Sequence, residues 1–299
     1  RSIAMGCALV DDARLAQISV PGPYAAAEAM KALHKGLHVF LFSDNVPLEQ
    51  ERAIKALARK KDLLVMGPDC GTAIISGTPL GFANVVKRGD ISLVGASGTG
   101  LQEVSCQIDA LEHGIRHAIG TGGHDVSAEI GGSTMRQALD LVAADSATKV
   151  IVIVSKPPDP AVAQQVLNQV AAFSKPVVVL FLGADLSAAK LPKHVVVVDT
   201  LYDAAAAAVA MAEGRCFEPA AESEDEPAEL APELRRLGAG QVAVRGLYSG
   251  GTFCSEAKML WREMGLRLNT AESTKAVPGA GHLAVDLGEA MFTIRLKHP

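Results

Sequence analysis

The chain has 299 residues, long enough for two or three domains with cores of their own. Hydrophobic residues make up 49% and aromatics only 4%, so the interior is built from Val, Leu, Ile and Ala, as in parallel sheets flanked by helices. A net charge of −5 without a Lys/Arg stripe argues against nucleic acid as a partner, the apolar strands are too short to cross a membrane, and five scattered cysteines with no C-x-x-C pair read as reduced thiols of a cytoplasmic protein.

In chain order, residues 1–80 alternate helix and strand. The pattern predicts helices over 23–35 and 48–60 and strands over 37–42 and 63–66, the last ending in Gly67-Pro68-Asp69-Cys70-Gly71. This is the back half of a doubly wound domain, without an opening strand and glycine turn. Residues 81–214 make a fuller series, with strands over 91–94, 115–119, 150–154, 177–181 and 195–198. Helices fit over 101–112, 129–143, 160–172 and 201–213. Strands separated by single helices imply a parallel, flavodoxin-like sheet. Residues 215–239 are acidic and rich in Ala, Pro and Glu, a solvated linker. A third unit, 240–299, opens with a strand at Val242. The expected fold class is therefore α/β: an N-terminally incomplete Rossmann-like domain followed by two flavodoxin-like parallel-sheet domains, the last partial.

A strand, a small-residue turn and an amphipathic helix recur in that series. The first copy carries Ser97-Gly98-Thr99-Gly100 and the second Ser249-Gly250-Gly251-Thr252. Glycines admit close backbone approach, and the N–H groups of a first helical turn attract phosphate or carboxylate. Both turns are candidate anion sites, expected to converge on one cleft; the alternative reading is two tight β-to-α connections with Ser or Thr as cap. Thr99 breaks a nucleophile elbow, Glu103 breaks a dinucleotide fingerprint, and neither turn has a Walker lysine. Gly122 and Gly123 precede His124-Asp125 in a loop at a strand's C-terminal end, where open α/β sheets bind ligands. His124 and, after the strand at 150–154, Lys156 are the candidate catalytic residues; an exposed loop histidine and a solvated lysine are the bland readings. Asp69 and Cys70 read as turn residues, His194 and His282 as structural, and Cys254 as packing near a helix start. No His/Cys/carboxylate spacing suggests a structural metal.

These motifs carry a family likeness. Gly67-Pro68-Asp69-Cys70-Gly71 resembles the G-P-N-C-x-G turn of the succinyl-CoA synthetase α subunit, and Ser97-Gly98-Thr99 its S-G-T turn. Gly120 to Asp125 resembles its G-I-G-G-D-P loop, and Asp145-Ser146-Ala147-Thr148 its D-S-A-T connection. With the acidic linker and Ser155-Lys156-Pro157-Pro158, the order of parts looks most like the FdrA family of predicted acyl-CoA synthetases. The resemblance implies a CoA-binding-type domain over 1–80 with walls at Pro21, Ser43, Asn45 and Pro68. It also implies a phosphate or an acyl or carbamoyl phosphate as ligand, a small-molecule substrate and companion subunits, and it leaves a homo-oligomer open. Some family members are subunits of oxamate carbamoyltransferase, which in purine catabolism converts oxalurate and phosphate to oxamate and carbamoyl phosphate. That is the activity expected here, with a nucleotide-dependent acyl-CoA synthetase and a non-catalytic scaffold as alternatives. The chain departs from the ligase at two points. Residues 183–190 lack the phosphorylated histidine, and Ser155-Lys156 stands where a glutamate would hold it. Without the first glycine turn, CoA affinity is expected to be no tighter than about millimolar.

Overall fold

The computed structural model describes residues 2–186, 189–219, 232, 236, 238, 243–248, 250–266, 268 and 281–286. They divide into two compact units, Arg1–Phe217 and Glu218–Pro299. Of the expected linker, only residues 215–219, 232, 236 and 238 are among those described.

The first unit opens with α1 (Ile3–Leu9), β1 (Leu15–Ile18), α2 (Gly22–His34), β2 (His38–Leu41), α3 (Leu48–Lys60) and β3 (Val65–Met66). The three strands pair in parallel in the order β1-β2-β3. The sequence pattern misses β1, because Leu-Ala-Gln-Ile is short and only Ile18 is buried. Strand residues alternate between two cores, as a period of two requires. Ile18, Val39, Leu41 and Val65 join Ala25, Ala29, Leu33 and Ile54 in one. Phe40, Leu64 and Met66 face the other way and enter the core of a second sheet. The small sheet is thus buried on both faces and fixed against its larger neighbour.

That neighbour has seven strands in the order β10-β9-β8-β6-β7-β4-β5. β4 (Thr72–Ile75) and β5 (Thr78–Gly81) form a hairpin. Its two turn residues, Ser76 and Gly77, have φ of 49° and 73°, the left-handed geometry that a two-residue hairpin turn uses. β4 then pairs antiparallel with β7, so the sheet is mixed rather than wholly parallel. It begins at Thr72, and the expected boundary between residues 80 and 81 falls inside β5.

The remaining strands are β6 (Arg88–Gly95), β7 (Ile115–Gly120), β8 (Val150–Ser155), β9 (Val177–Phe181) and β10 (Val195–Val197), all mutually parallel. Between or after them run α4 (Gly98–Ala110), α5 (Ser133–Ala144), α6 (Pro160–Ala171) and α7 (Leu201–Ala212). Helices α4 and α7 pack together, as do α5 and α6. With helices on both faces, β8 and β9 are buried along their whole length, which is why they read as unbroken apolar runs. Counted along the chain, the five parallel strands lie in the order 2-1-3-4-5, the flavodoxin-like arrangement. Its crevice opens between the first and third strands, here β6 and β8.

The second unit contains β11 (Arg245–Tyr248), α8 (Gly251–Glu263) and β12 (Leu283–Asp286). The strands are parallel and α8 packs on both. The expected strand and helix are present among the described residues.

Candidate functional site

The C-terminal ends of the parallel strands gather most of the residues singled out above. The loop after β2 holds Ser43, whose hydroxyl donates to the Val20 carbonyl at 2.5 Å, while its own carbonyl accepts the Asp69 N–H at 2.9 Å. Pro21 caps α2, and Gly22 seats that helix so closely that a Cβ there would stand 2.4 Å from the Asp44 carbonyl oxygen. Asn45 and Asp69 adopt left-handed φ of 53° and 55°, tolerable because their short polar side chains suit that region. Pro21, Ser43, Asn45 and Pro68, the expected CoA walls, therefore share one rim.

The loop after β7 presses onto this rim. Gly122 has φ of 87°, and a Cβ on it would come within 2.3 Å of the Pro68 carbonyl oxygen. Only glycine allows that backbone contact. Behind it, α5 has Gly132 as its N-cap, with no side chain to serve the helix end. Asp125 does so instead, accepting the N–H groups of Thr134 at 3.0 Å and Met135 at 2.8 Å. Asp125 is fully buried and its carboxylate lies 2.8 Å from the Lys55 ammonium. Lys55, on α3, also lies 2.8 Å from Glu51 and donates to the Thr121 carbonyl at 3.2 Å. The other oxygen of Glu51 sits 3.3 Å from His124 Nδ1. Burying charge costs several kcal/mol per ion, so such a cluster persists only where each member is paired and hydrogen-bonded. Gly122 and Gly123 therefore do not front an open helix end: the anion at α5 is the protein's own carboxylate.

The end of α4 is different. Ser97 accepts the Gly100 N–H at 3.0 Å, which leaves the N–H groups of Gly98 and Thr99 with no acceptor among the described residues. Gly98 is exposed. On either side of β6, Thr121 follows β7 and Ser155 ends β8; both hydroxyls are buried and lack a hydrogen-bond partner among the described residues. An open helix N-terminus flanked by two orphaned donors stands at the crevice that the strand order defines.

His124 is exposed over 66% of its side chain, and Lys156 is exposed as well. Both lie near Asp69. Burial pushes the Asp69 carboxyl above its usual range, the negative charge of Asp44 adds to this, and His124 and Lys156 pull it partly back. The two expected catalytic residues thus face a third titratable group that reads from sequence as a mere turn residue. Cys70, its neighbour, is pushed up to about 12 by burial and is no nucleophile at neutral pH.

Sequence reasoning passed over Asp69, Glu51, Lys55, Asp125 and the hydroxyls of Thr121 and Ser155. Two signals were available. Glu51, Ile54, Lys55 and Ala58 form the buried stripe of α3, so two charges occupy positions where helical periodicity calls for apolar residues. Asp69 stands where the resembling turn has Asn. Nothing local marks the hydroxyls.

Other candidates fall away from this rim. His194 bonds the Val170 carbonyl at 3.3 Å, and His282 Nδ1 accepts the Val244 N–H at 3.0 Å, both structural roles. In the second unit, Gly250 is the N-cap of α8, which begins at Gly251, and Thr252 is buried. Ser249 lies outside the described residues, and that turn belongs to a unit described by itself. Among the described residues no group of three or more His, Cys, Asp or Glu could hold a metal ion, and no helix is long and apolar enough to cross a membrane.

In part of its length the chain is similar to CoA-binding α/β proteins. The CoA binding domain family matches residues 86–183, which lie in the large sheet, whereas the resemblance assigns such a domain to 1–80. The chain is 44% identical over 247 residues to the uncharacterized protein YahF of Escherichia coli, covering 83% of this chain and 48% of that one. It is 28% identical over 149 residues to succinate–CoA ligase [ADP-forming] subunit alpha 2 of Archaeoglobus fulgidus, covering 48% of this chain and 50% of the relative. The chain thus spans about half the length of these curated relatives. Among solved structures, ATP citrate lyase from Methanothrix soehngenii in complex with citrate and coenzyme A matches with a TM-score of 0.53 at 17% identity. That match covers 100% of this chain and 46% of the lyase chain. The dinucleotide forming acetyl-coenzyme A synthetase 1 of Ca. Korarchaeum cryptofilum matches with a TM-score of 0.53 at 15% identity, covering 86% and 56%. At such identities the structures speak for the fold.

Proposed function

We propose that this chain is the CoA-handling part of an acyl-CoA ligase of the succinate–CoA ligase α kind, working with a companion subunit or domain. The observation that carries the reading is the open N-terminus of α4 at the β6/β8 crevice, ringed by the orphaned hydroxyls of Thr121 and Ser155. The similarity to ligase subunits supports the same class.

The residues present fit an anionic ligand. The amides of Gly98 and Thr99 would hold a phosphate or carboxylate, and the two hydroxyls would supply donors as negative charge develops. Pro21, Ser43, Asn45 and Pro68 would wall the CoA. When bound, CoA supplies the thiol that accepts an acyl group. Lys156 would neutralise charge at the mouth, His124 would offer a hydrogen bond there, and the Asp69 carboxyl, its proton affinity raised by burial, is suited to take up the thiol proton. The buried Glu51–Lys55–Asp125 cluster positions the His124 loop and takes no part in chemistry.

Phosphorolytic carbamoyl transfer, which the FdrA resemblance implies, is the second reading. One observation favours it: residues 183–190 contain no histidine, and carbamoyl exchange between phosphate and an amide needs no covalent relay. The ligase reading ranks first because the chain's curated relatives include subunits of CoA ligases.

The test is calorimetry on the whole chain with CoA, with inorganic phosphate and with carbamoyl phosphate, followed by incubation with CoA and succinyl phosphate. CoA binding and thioester absorbance support the ligase reading. Carbamoyl phosphate binding without CoA binding moves carbamoyl transfer ahead, and binding of none of them leaves the scaffold.

A further inference from the structure

We propose that the opposite end of the first unit holds a second binding site, for a small amphipathic carboxylate with an apolar body and one anionic end. A cavity of about 400 Å³ opens there, between the starts of β1, β2 and β7 and the C-terminal turn of α5. That volume falls within the range of small-molecule pockets. It faces away from the rim described above, since the parallel strands begin at this end and finish at the other.

The chemistry of the lining is divided. Leu15, Leu64, Met66, Ile119 and Val142 make an apolar body, and Leu141, 44% exposed, stands at the mouth. The polar side consists of Arg14, His38, Arg116, His117 and Asp145. Part of it is already committed. Asp145 lies 3.0 Å from Arg116 Nε and 3.3 Å from His117 Nε2. His117 Nδ1 accepts the Ser76 N–H at 3.3 Å, which fixes its proton on Nε2. Arg116, His117 and Asp145 therefore satisfy one another.

Arg14 and His38 do not. The Arg14 guanidinium has no ion-pair or side-chain hydrogen-bond partner among the described residues. His38 Nδ1 accepts the Leu64 N–H at 2.9 Å, so its Nε2–H remains a donor, again with no acceptor among the described residues. Burial holds both imidazoles below their usual range, so they are neutral donors at neutral pH and Arg14 is the uncommitted cation. A cavity with apolar walls, one free guanidinium and one free N–H donor matches a carboxylate on an apolar stem. Arg14 is exposed at the cavity mouth, where a carboxylate would pair with it and a neutral ligand would make no use of its charge. A cationic one would meet the Arg14 and Arg116 cations beside an Asp145 carboxylate already shared with Arg116 and His117.

The experiment titrates octanoate and, separately, 1-octanol into the whole chain by calorimetry, with sedimentation to follow oligomeric state. Octanoate is expected to bind saturably at one site. Arg14→Gln should weaken octanoate by about ten-fold, the worth of one charged hydrogen bond, and leave octanol unchanged. Leu141→Trp, a change at an exposed position that narrows the mouth without disturbing the core, should weaken both. Phosphate binding at the α4 end should be unaffected by either substitution, which separates this site from the proposed ligase site. The proposal is overturned if octanoate shows no saturable heat, if Arg14→Gln leaves its affinity unchanged, or if the wild-type chain covers this face by pairing with a second copy that octanoate does not displace.

Discussion

Two helix N-termini open on the same edge of the large sheet, and the chain treats them differently. At α5 the cap is Gly132, and Asp125 supplies a carboxylate to the Thr134 and Met135 amides; Lys55, itself paired with Glu51, holds that carboxylate. At α4 the cap is Ser97, which accepts the Gly100 N–H, while the N–H groups of Gly98 and Thr99 and the hydroxyls of Thr121 and Ser155 have no partner among the described residues. Both ends follow a strand and a small-residue turn, and both carry the same helix dipole. One is closed by the protein's own anion and serves architecture. The other is left to an anion from outside. A glycine-rich turn before a helix is thus insufficient to identify a binding site; whether the protein has already filled it decides.

The comparison predicts its largest effect at the closed end. Lys55→Met leaves the Glu51 and Asp125 carboxylates buried without their cation and should cost about 3–5 kcal/mol in urea unfolding. A loss below about 1 kcal/mol would mean that the cluster is relieved by water rather than closed by Lys55. Asp125→Ala removes the internal anion from α5 and should cost about 2–3 kcal/mol. It also converts the closed end into an open one. Sulfate should then raise the melting temperature of the variant more than that of the wild type, and equal responses would break the contrast.

At the other end of α5, Asp145 is the C-cap through its backbone N–H, which donates to the Leu141 carbonyl, while its carboxylate accepts from Arg116, Thr148 and the Ala147 amide. Burial there acts to raise the Asp145 carboxyl, but hydrogen bonds from Arg116, Thr148 and the Ala147 amide outweigh it and hold the group at about 2. A carboxyl depressed in the folded state contributes stability above its unfolded value near 3.8, and that contribution is lost as pH falls from there through about 2. About 2 kcal/mol should vanish over that interval in acid unfolding and be absent from Asp145→Asn.

At the open end the expected effects fall on binding. Gly98→Ala would place its Cβ 3.7 Å from Thr72 Oγ1, ordinary contact, so stability should change by less than about 1 kcal/mol. The methyl group narrows the approach to the exposed amides, and phosphate affinity should fall about ten-fold by calorimetry. Unchanged affinity would remove α4 from the site. The smallest effect is a null one: ATP or an acyl phosphate should leave no acid-labile, base-stable phosphate on the chain. Its appearance on His124, His194 or His282 would restore a covalent relay.

The course of the chain was largely readable. Helix α3 was predicted over 48–60 and observed over Leu48–Lys60, because strong helix formers run unbroken through it and Pro47 marks its start. Strands β8 and β9 were readable because both faces are buried and the apolar run is unbroken. The hairpin Thr72–Gly81 was missed although Ser76-Gly77 is a legitimate two-residue turn, and β1 was missed because its burial comes from neighbours rather than from its own pattern. At the site, Ser97 to Gly100 and the rim residues were legible as turns at strand ends. Glu51 and Lys55 were passed over despite their place on the inward stripe of α3, because a charged residue on a helix looks solvated until its partner is known.

By itself the sequence determined the alternation of strands and helices, the positions of the glycine turns and the lack of a histidine in residues 183–190. These are local properties, set by periodicity, backbone freedom and residue identity. Only the tertiary structure decided that Asp125 fills one helix end while the other stays open, that His124 and Lys156 act electrostatically on Asp69, and that a cavity forms at the far edge. Each depends on residues dozens of positions apart, such as Lys55 and Asp125, and sequence spacing carries no record of which distant group will neutralise a buried charge.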